Sequence, residues 1–323
     1  MTYNISLNQN LKSYIMKRII LTTTILLLTI SSVFSQTSEV GKKYIYEFRD
    51  GTTIIGTYDR SEEGNIYIKD LEGEEVYIPK VMVAQIHEVT DDNIKNGEYW
   101  FPNLHDSRYF FSPSAFGLRQ GEGYFGHSYW MLWQAQLGIT DEFSIGGGTT
   151  VFGIPSTLNA KYSFNIKNDI NAAMGWFWVG DLFGWTSSDM GSIINMPYAV
   201  ATKGSRENNI TLGMGYNLAR PFVDLRDDNE SMLNEERLVL NVGGTFRTAR
   251  RFALVFEGWI LNGDGDFQFM GGPGIRYFRK INRVTARNGA GAKSWDFQFM
   301  HFPGMGDGGG PTFIPMFGHS QKF

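Results

Sequence analysis

The residues best suited to chemistry are sparse and scattered. The five histidines are His87, His105, His127, His301 and His319, and none forms a tight metal pair such as i,i+4 on a helix. His127 beside Ser128, and Asp296 near His301, are fragments from which a base and nucleophile could be built at a barrel rim. No spacing joins them into one arrangement. The run Asn262-Gly263-Asp264-Gly265-Asp266 carries calcium-loop oxygens but lacks the ligand spacing and the closing Glu. Gly271-Gly272-Pro273-Gly274 and the glycine-rich stretch 304–310 are followed by no Lys-Ser/Thr, so neither reads as a phosphate loop. The chain has no cysteine, which removes disulfides, thiolate nucleophiles and the strongest zinc patterns. The expectation is a protein with no catalytic residue, no cofactor and no metal.

A second set of charged residues is more informative because it recurs in phase with a pattern. Lys161, Arg237, Arg247, Arg251, Glu257 and Arg276 interrupt segments that are otherwise apolar at alternate positions. Alternation of this kind puts successive side chains on opposite faces of a strand. In 158–167, Leu158, Ala160, Tyr162, Phe164 and Ile166 oppose Asn159, Lys161, Ser163, Asn165 and Lys167. The same split places Ile210, Leu212, Met214 and Tyr216 opposite Asn209, Thr211, Gly213 and Gly215, and Leu238, Leu240, Val242 and Phe246 opposite Arg237, Asn241, Thr245 and Arg247. In 251–260, Val255 and Trp259 break the polar phase.

Bulky residues occupy one face and small or polar ones the other. A soluble sandwich would have to pack the aromatics in a core of limited volume, whereas a membrane barrel turns them outward to lipid. The 25 Phe, 15 Tyr, 8 Trp and 38 Gly of the 323 residues suit many strands and tight turns. Mean hydropathy near zero, at -0.23, is what strands facing lipid on one side only would average to. The fold class expected is all-β, a transmembrane antiparallel barrel. Short connections at Thr140-Asp141, Asn168-Asp169 and Ala249-Arg250 interleave with longer ones at 181–189, 221–235 and 262–266. Strands at 108–117, 122–139, 142–153, 157–167, 170–181, 190–202, 207–218, 236–248, 251–262, 266–279, 293–303 and 311–323 make twelve, with both ends on the periplasmic side. Ten is the fallback, because the first, sixth and last two strands are weakly marked: Pro197 removes a ladder donor in the sixth. The charged set then becomes a candidate lumen lining.

Ahead of the barrel, Lys17-Arg18 precedes an apolar run from Ile19 to Ile30, then small and polar residues up to Ser35. That order is a secretory signal, with cleavage leaving Gln36 first; residues 1–35 are an N-terminal extension and signal peptide. Residues 38–90 form a small β-module of five strands: Tyr44–Phe48, Thr52–Tyr58, Asn65–Lys69, Glu75–Ile78 and Val83–Glu88. Asp50-Gly51 supplies a hairpin turn pair between the first two. The module resembles SH3-like or Sm-like barrels next to export signals in bacterial envelope proteins.

The barrel region carries Tyr109-Phe110-Phe111-Ser112-Pro113-Ser114-Ala115-Phe116, then Gly121-Glu122-Gly123-Tyr124, then Gly138-Ile139-Thr140-Asp141-Glu142-Phe143-Ser144-Ile145-Gly146-Gly147, with Pro197-Tyr198, Asn208-Asn209 and the terminal Phe323. On these residues the region 100–323 resembles a family of outer-membrane barrel proteins from Bacteroidetes. The resemblance implies the barrel fold and an outer-membrane location, and it carries no activity or substrate.

A net charge of -4 with both signs interspersed offers no basic stripe for nucleic acid. The expected partners are outer-membrane lipids, the barrel assembly machinery that reads a terminal aromatic, and a periplasmic partner for the module. Two functions remain open for a non-enzymatic barrel, a narrow pore or uptake route for small solutes and a structural or surface-binding barrel that conducts nothing; an outer-membrane enzyme is the less favoured third alternative. The slight cationic excess of the candidate lining would favour anions if water ran through it. The mature protein should partition with the outer membrane and migrate heat-dependently in detergent gels. Recovery from the soluble periplasmic fraction without detergent would refute the barrel.

Overall fold

In the computed structural model of the chain, the residues described are 38–182, 192–218, 237–262, 267–279, 292–302 and 312–323. The proposed signal segment, the long connections within 219–236 and 280–291, and the glycine-rich 304–310 lie outside them.

The first unit is a five-stranded antiparallel sheet of β1 (Lys43–Phe48), β2 (Thr53–Glu62), β3 (Asn65–Lys69), β4 (Glu75–Pro79) and β5 (Val83–Glu88), ordered β4-β3-β2-β1-β5. The first four strands form the expected meander, and β5 returns to pair with β1. Tyr44, Tyr46, Ile66, Ile68 and Ile78 are its core. A two-strand clip, β6 (Ile94–Lys95) and β7 (Glu98–Tyr99), follows.

The second unit is a closed antiparallel barrel of twelve strands: β8 (Gly123–Ser128), β9 (Leu132–Gly138), β10 (Phe143–Thr150), β11 (Ser156–Lys167), β12 (Ile170–Gly180), β13 (Ser192–Gly204), β14 (Asn208–Asn217), β15 (Arg237–Ala249), β16 (Phe252–Asn262), β17 (Phe267–Arg279), β18 (Lys293–Phe302) and β19 (Thr312–Lys322). Each pairs with its sequence neighbours, and β19 closes on β8, with Lys322 opposite Tyr124. Both barrel termini lie at one end, the near end, together with the short turns 139–142, 168–169, 205–207 and 250–251. The opposite end is the far end.

The wall is inside-out relative to a soluble sheet. In β14, Ile210, Leu212, Met214 and Tyr216 are exposed while Asn209, Thr211 and Asn217 are buried; in β11, Tyr162 and Phe164 are exposed while Lys161 and Ser163 are buried. Glu257 and Asp296 are the only Asp or Glu side chains in the twelve strands, and both are buried inside. The exposed bases Lys167, Lys203 and Arg279 sit at strand ends on the near side of the barrel. An outer surface of large apolar groups without a carboxylate is matched to hydrocarbon.

The strand total agrees with expectation, but through two compensating differences. Residues 108–117 form no barrel strand: Pro113, Ser112 and Ser114 break the ladder, and the segment folds into the lumen. The single strand expected over 122–139 is instead two, joined by a hairpin turn in which the Met131 amide donates to the Ser128 carbonyl at 3.0 Å. Tyr129 and Trp130 both take positive φ there, 52° and 59°. Two-residue hairpins need that geometry at both central positions and usually take Asn or Gly for it, so nothing in the residue types marked the turn.

One apolar cluster ties the first unit to the barrel's near end: Ile45 and Val89 pack with Tyr99, Phe101, Ala253 and Phe278. On β5, His87 stands opposite Ile45, and burial holds its imidazole below the usual value although the Glu47 carboxylate pulls the other way. The unfolded chain therefore takes up a proton first, near pH 6.5, and the sheet loses stability as pH falls through that value. Amides of β1 and β5 should lose hydrogen-exchange protection between about pH 7.5 and pH 5.5, after correction for intrinsic rates. His87→Asn should flatten the difference, and equal protection at both pH values in the parent protein would contradict it.

Candidate functional site: a plugged lumen

Residues 101–118 enter the barrel from the near end, turn, and return to start β8. Inside the lumen the segment has no regular ladder beyond one bridge, Arg108 to Pro113, and a turn in which the Tyr109 amide donates to the Ser112 carbonyl at 2.9 Å. Its backbone polar groups must be met by the wall, since the surroundings are protein and lipid. Three wall charges meet three backbone groups each.

Lys161 of β11 points inward and donates to three carbonyls, Ser107 at 2.9 Å, Ser114 at 3.1 Å and Phe116 at 2.8 Å. That uses every ammonium proton. Glu257 of β16, fully buried, accepts from the successive amides of Phe110 (3.2 Å), Phe111 (3.0 Å) and Ser112 (2.9 Å) and from the Ser112 hydroxyl (2.9 Å). Consecutive amides turned onto one carboxylate form an anion nest at the plug's tip. Arg276 of β17 is paired with Asp296 of β18 through Nε at 2.7 Å and Nη2 at 3.0 Å, and its remaining donors reach the carbonyls of His105 (2.7 Å), Arg108 and Tyr109.

Neutral wall groups complete the fit. Thr202 Oγ1 accepts from the Ala115 amide at 2.8 Å, and the Tyr109 hydroxyl donates to Asn209 Oδ1 at 2.7 Å. A Cβ at Gly243 would come within 2.6 Å of the Tyr109 ring, and one at Gly274 within 2.6 Å of the Phe110 ring. The wall is therefore hollowed where the plug's aromatics press on it.

At the near end the plug is tied to the 205–207 turn: Asp106 pairs with Arg206, and the Asn103 amide donates to Glu207. Arg247 reaches the same place, 3.0 Å from Glu207 and stacked on Phe278 and Phe101. Burial pushes the Glu207 carboxyl above its ordinary value, against the pull of Arg247.

Of the charged residues singled out by phase, Lys161, Glu257 and Arg276 converge on the plug and Arg247 secures its base. Arg237 is buried at the far end of β15, opposite Asn217. Arg251 lies outside the lumen: it is exposed in the 250–251 turn and donates to the Tyr277 hydroxyl at 3.3 Å. It shares the phase of the inward-facing Ala253, Val255 and Glu257 but lies ahead of β16, in the turn beyond the ladder, where alternation no longer assigns a face. Val255 and Trp259, the two exceptions on the polar face of β16, have inward roles: Val255 packs with Tyr109 and Phe110, and Trp259 lines a cavity. Asp106, Arg206 and Glu207 were not singled out, since they sit in turns where no periodicity points to them.

The histidine fragments do not assemble. His127 and Ser128 lie on opposite faces of β8, and Asp296 faces inward while His301 faces outward opposite Phe313. Among the described residues no group of three His, Cys, Asp or Glu side chains could hold a metal ion.

Above the plug, toward the far end, the lumen holds a cavity of about 130 Å³. Phe177, Met196, Tyr198, Val200, Val239 and Trp259 give it a largely apolar wall, and the amides Gln134, Gln136, Asn159 and Asn241 give it polar points.

No protein-family model matches the chain, and no curated protein matches it in sequence. Among solved structures it is similar to the NanC porin in a rhombohedral crystal form, at 11% identity and a TM-score of 0.38, over 62% of this chain and 98% of that one. It is also similar to a loop L8 deletion mutant of OmpT, an outer membrane protein of Vibrio cholerae, at 11% identity and a TM-score of 0.30, over 87% of this chain and 96% of that one.

Glu257→Gln should loosen the plug's tip while leaving the wall intact. A hydrogen bond to a charged group contributes about 1.5–3 kcal/mol, so exchange of the Phe110, Phe111 and Ser112 amides should accelerate by about tenfold or more. Unchanged exchange at these three amides would mean that the carboxylate does not anchor them.

Proposed function

We propose that this chain is a non-enzymatic outer-membrane barrel, shut at rest by its own residues 101–118, with a ligand-binding vestibule on the far side of the plug. The apolar outer belt supports the membrane location, and the five-stranded unit then faces the periplasm, where it is available to a partner. The near end, with its short turns, is the periplasmic one. The observation that carries the closed reading is the triple donation of Lys161 to plug carbonyls. A lining cation that selected passing anions would keep donors free for them; this one has none left.

Purified protein in planar bilayers should give no stable unitary steps. Replacing residues 101–118 by a Gly/Ser linker should open conductance, whose ion preference shifts with Arg247→Glu but not with Arg251→Glu. Stable unitary conductance from the unmodified protein would reject the closed barrel and restore the open-pore reading.

A further inference from the structure

The barrel wall is incomplete at one seam. β19 runs from Thr312 to Lys322 and pairs with β18 along its whole length, but it pairs with β8 only from Gly318 to Lys322. One further contact, the Tyr129 amide donating to the Phe317 carbonyl at 3.0 Å, ends the join. β8 then turns back at 129–131, so among the described residues no strand covers the β8 side of residues 312–316. The far part of β19 stands beside a notch.

At the foot of this notch a second, smaller cavity of about 20 Å³ touches both faces of the wall. Gln298 and Asp296 border it from the lumen, and His127, Phe317 and His319 from the outer side. It shares Arg108, Phe111 and Gln134 with the larger cavity above the plug. The outer lip is aromatic: His127 stacks on Trp130 at 4.1 Å and faces His319 at 5.5 Å, and Tyr129, Trp130 and Met131 are exposed.

The polar lining asks for a particular kind of ligand. Lys161 is saturated by carbonyls, and Arg108 has its Nη1 on the Tyr109 and Phe110 carbonyls and 3.6 Å from Asp296, whose carboxylate offsets its charge, while its Nε has no hydrogen-bond partner and can meet a ligand hydroxyl or carbonyl oxygen. Two buried acceptors have no hydrogen-bond partner: Asn241 Oδ1 on the larger cavity and Gln298 Oε1 on the seam cavity. An unmade hydrogen bond at a buried acceptor costs about 1–3 kcal/mol, which a ligand donor would recover.

From the short β8–β9 hairpin, the two adjoining cavities and the unpartnered acceptors, we propose that the vestibule binds an uncharged amphipathic molecule, an apolar body carrying a hydroxyl or amide N–H donor, and exchanges it sideways with the membrane through the β19–β8 seam. This rests on the closed-barrel reading, because the plug denies the ligand the straight route to the near end. The apolar walls of Phe177, Met196 and Val239 take the body, and Asn241 or Gln298 takes the donor.

The test uses the full mature chain in lipid vesicles and a diazirine-bearing eight-carbon primary alcohol as photoprobe, with labelled peptides mapped by mass spectrometry. Labelling should fall on β12, β13 and β15 and be displaced by excess 1-octanol. The Asn241→Leu and Gln298→Leu pair should reduce it by about tenfold, the equivalent of one lost hydrogen bond. Gly318→Leu narrows the seam where an added Cβ meets nothing closer than 3.5 Å; it should slow labelling several-fold when the probe is loaded in the vesicles first, with the plateau unchanged. Ser128→Leu, bordering the same cavity, should do likewise, and heat-dependent migration verifies that each variant folds. Absence of displaceable cavity labelling in the parent protein overturns the ligand site. An unchanged labelling rate in folded seam variants overturns the lateral route. Conductance by the parent protein would overturn the closed barrel instead, and labelling does not depend on that result.

Discussion

The constraint on which everything else depends is the satisfaction of irregular backbone inside a barrel that has lipid around it. Non-helical chain at membrane depth is tolerated only where protein or a water-filled space completes its hydrogen bonds. Here the segment 101–118 brings carbonyls at His105, Ser107, Arg108, Tyr109, Phe110, Ser114 and Phe116 into the lumen, and Lys161, Arg276 and Arg108 meet them. Buried charges are costly unless each is paired and hydrogen-bonded. Wall and plug solve each other's problem, because the plug's backbone dipoles solvate Lys161 and Glu257 while those charges replace water for the plug.

The same interdependence has a cost in sequence distance. The plug precedes the barrel, yet its partners lie on β11, β13, β14, β16, β17 and β18, with Arg276 171 residues beyond His105. Contacts of this separation require the loop between to be closed before they contribute anything. The hollowed sites at Gly243 and Gly274, which receive the Tyr109 and Phe110 rings, exist only when the strands carrying them stand side by side. The plug therefore belongs to the closed barrel and not to any local part of it.

That explains which features were legible in the sequence. Strand phase was, because lipid on one side and a crowded lumen on the other force alternation at every position: the assignment of Tyr162 outward and Lys161 inward needs no tertiary knowledge. The five strands of the first unit were legible for the same reason, with the Asp50-Gly51 turn to punctuate them. The plug was not. Tyr109-Phe110-Phe111 reads as a strand by composition, and its true surroundings are glycines more than a hundred residues away. Nor was the turn at Tyr129-Trp130, where two large aromatics take a conformation that elsewhere selects Asn or Gly, so the alternation appeared to run on unbroken from 122 to 139. These two differences cancel in the strand count while moving residues 108–117 from the wall to the interior.

The charged lining shows why side-chain inventory underdetermines what a barrel does. Lys161, Arg247, Glu257 and Arg276 in an empty lumen would set a field for passing ions, and their cationic excess would select anions. With residues 101–118 present, the same groups have their donors and acceptors committed to backbone, to Asp296 and to Glu207. What remains unsatisfied at the cavities beside the plug includes two amide oxygens, of Asn241 and Gln298, and the Nε of Arg108, whose charge Asp296 offsets. A cavity of that character discriminates by hydrogen-bond donors and by shape, since leaving a buried acceptor unmatched costs more than a mismatch in apolar contact. By engaging Lys161, Glu257 and Arg276, the plug removes charges that an empty lumen would present and leaves a largely apolar cavity with amide groups at its wall.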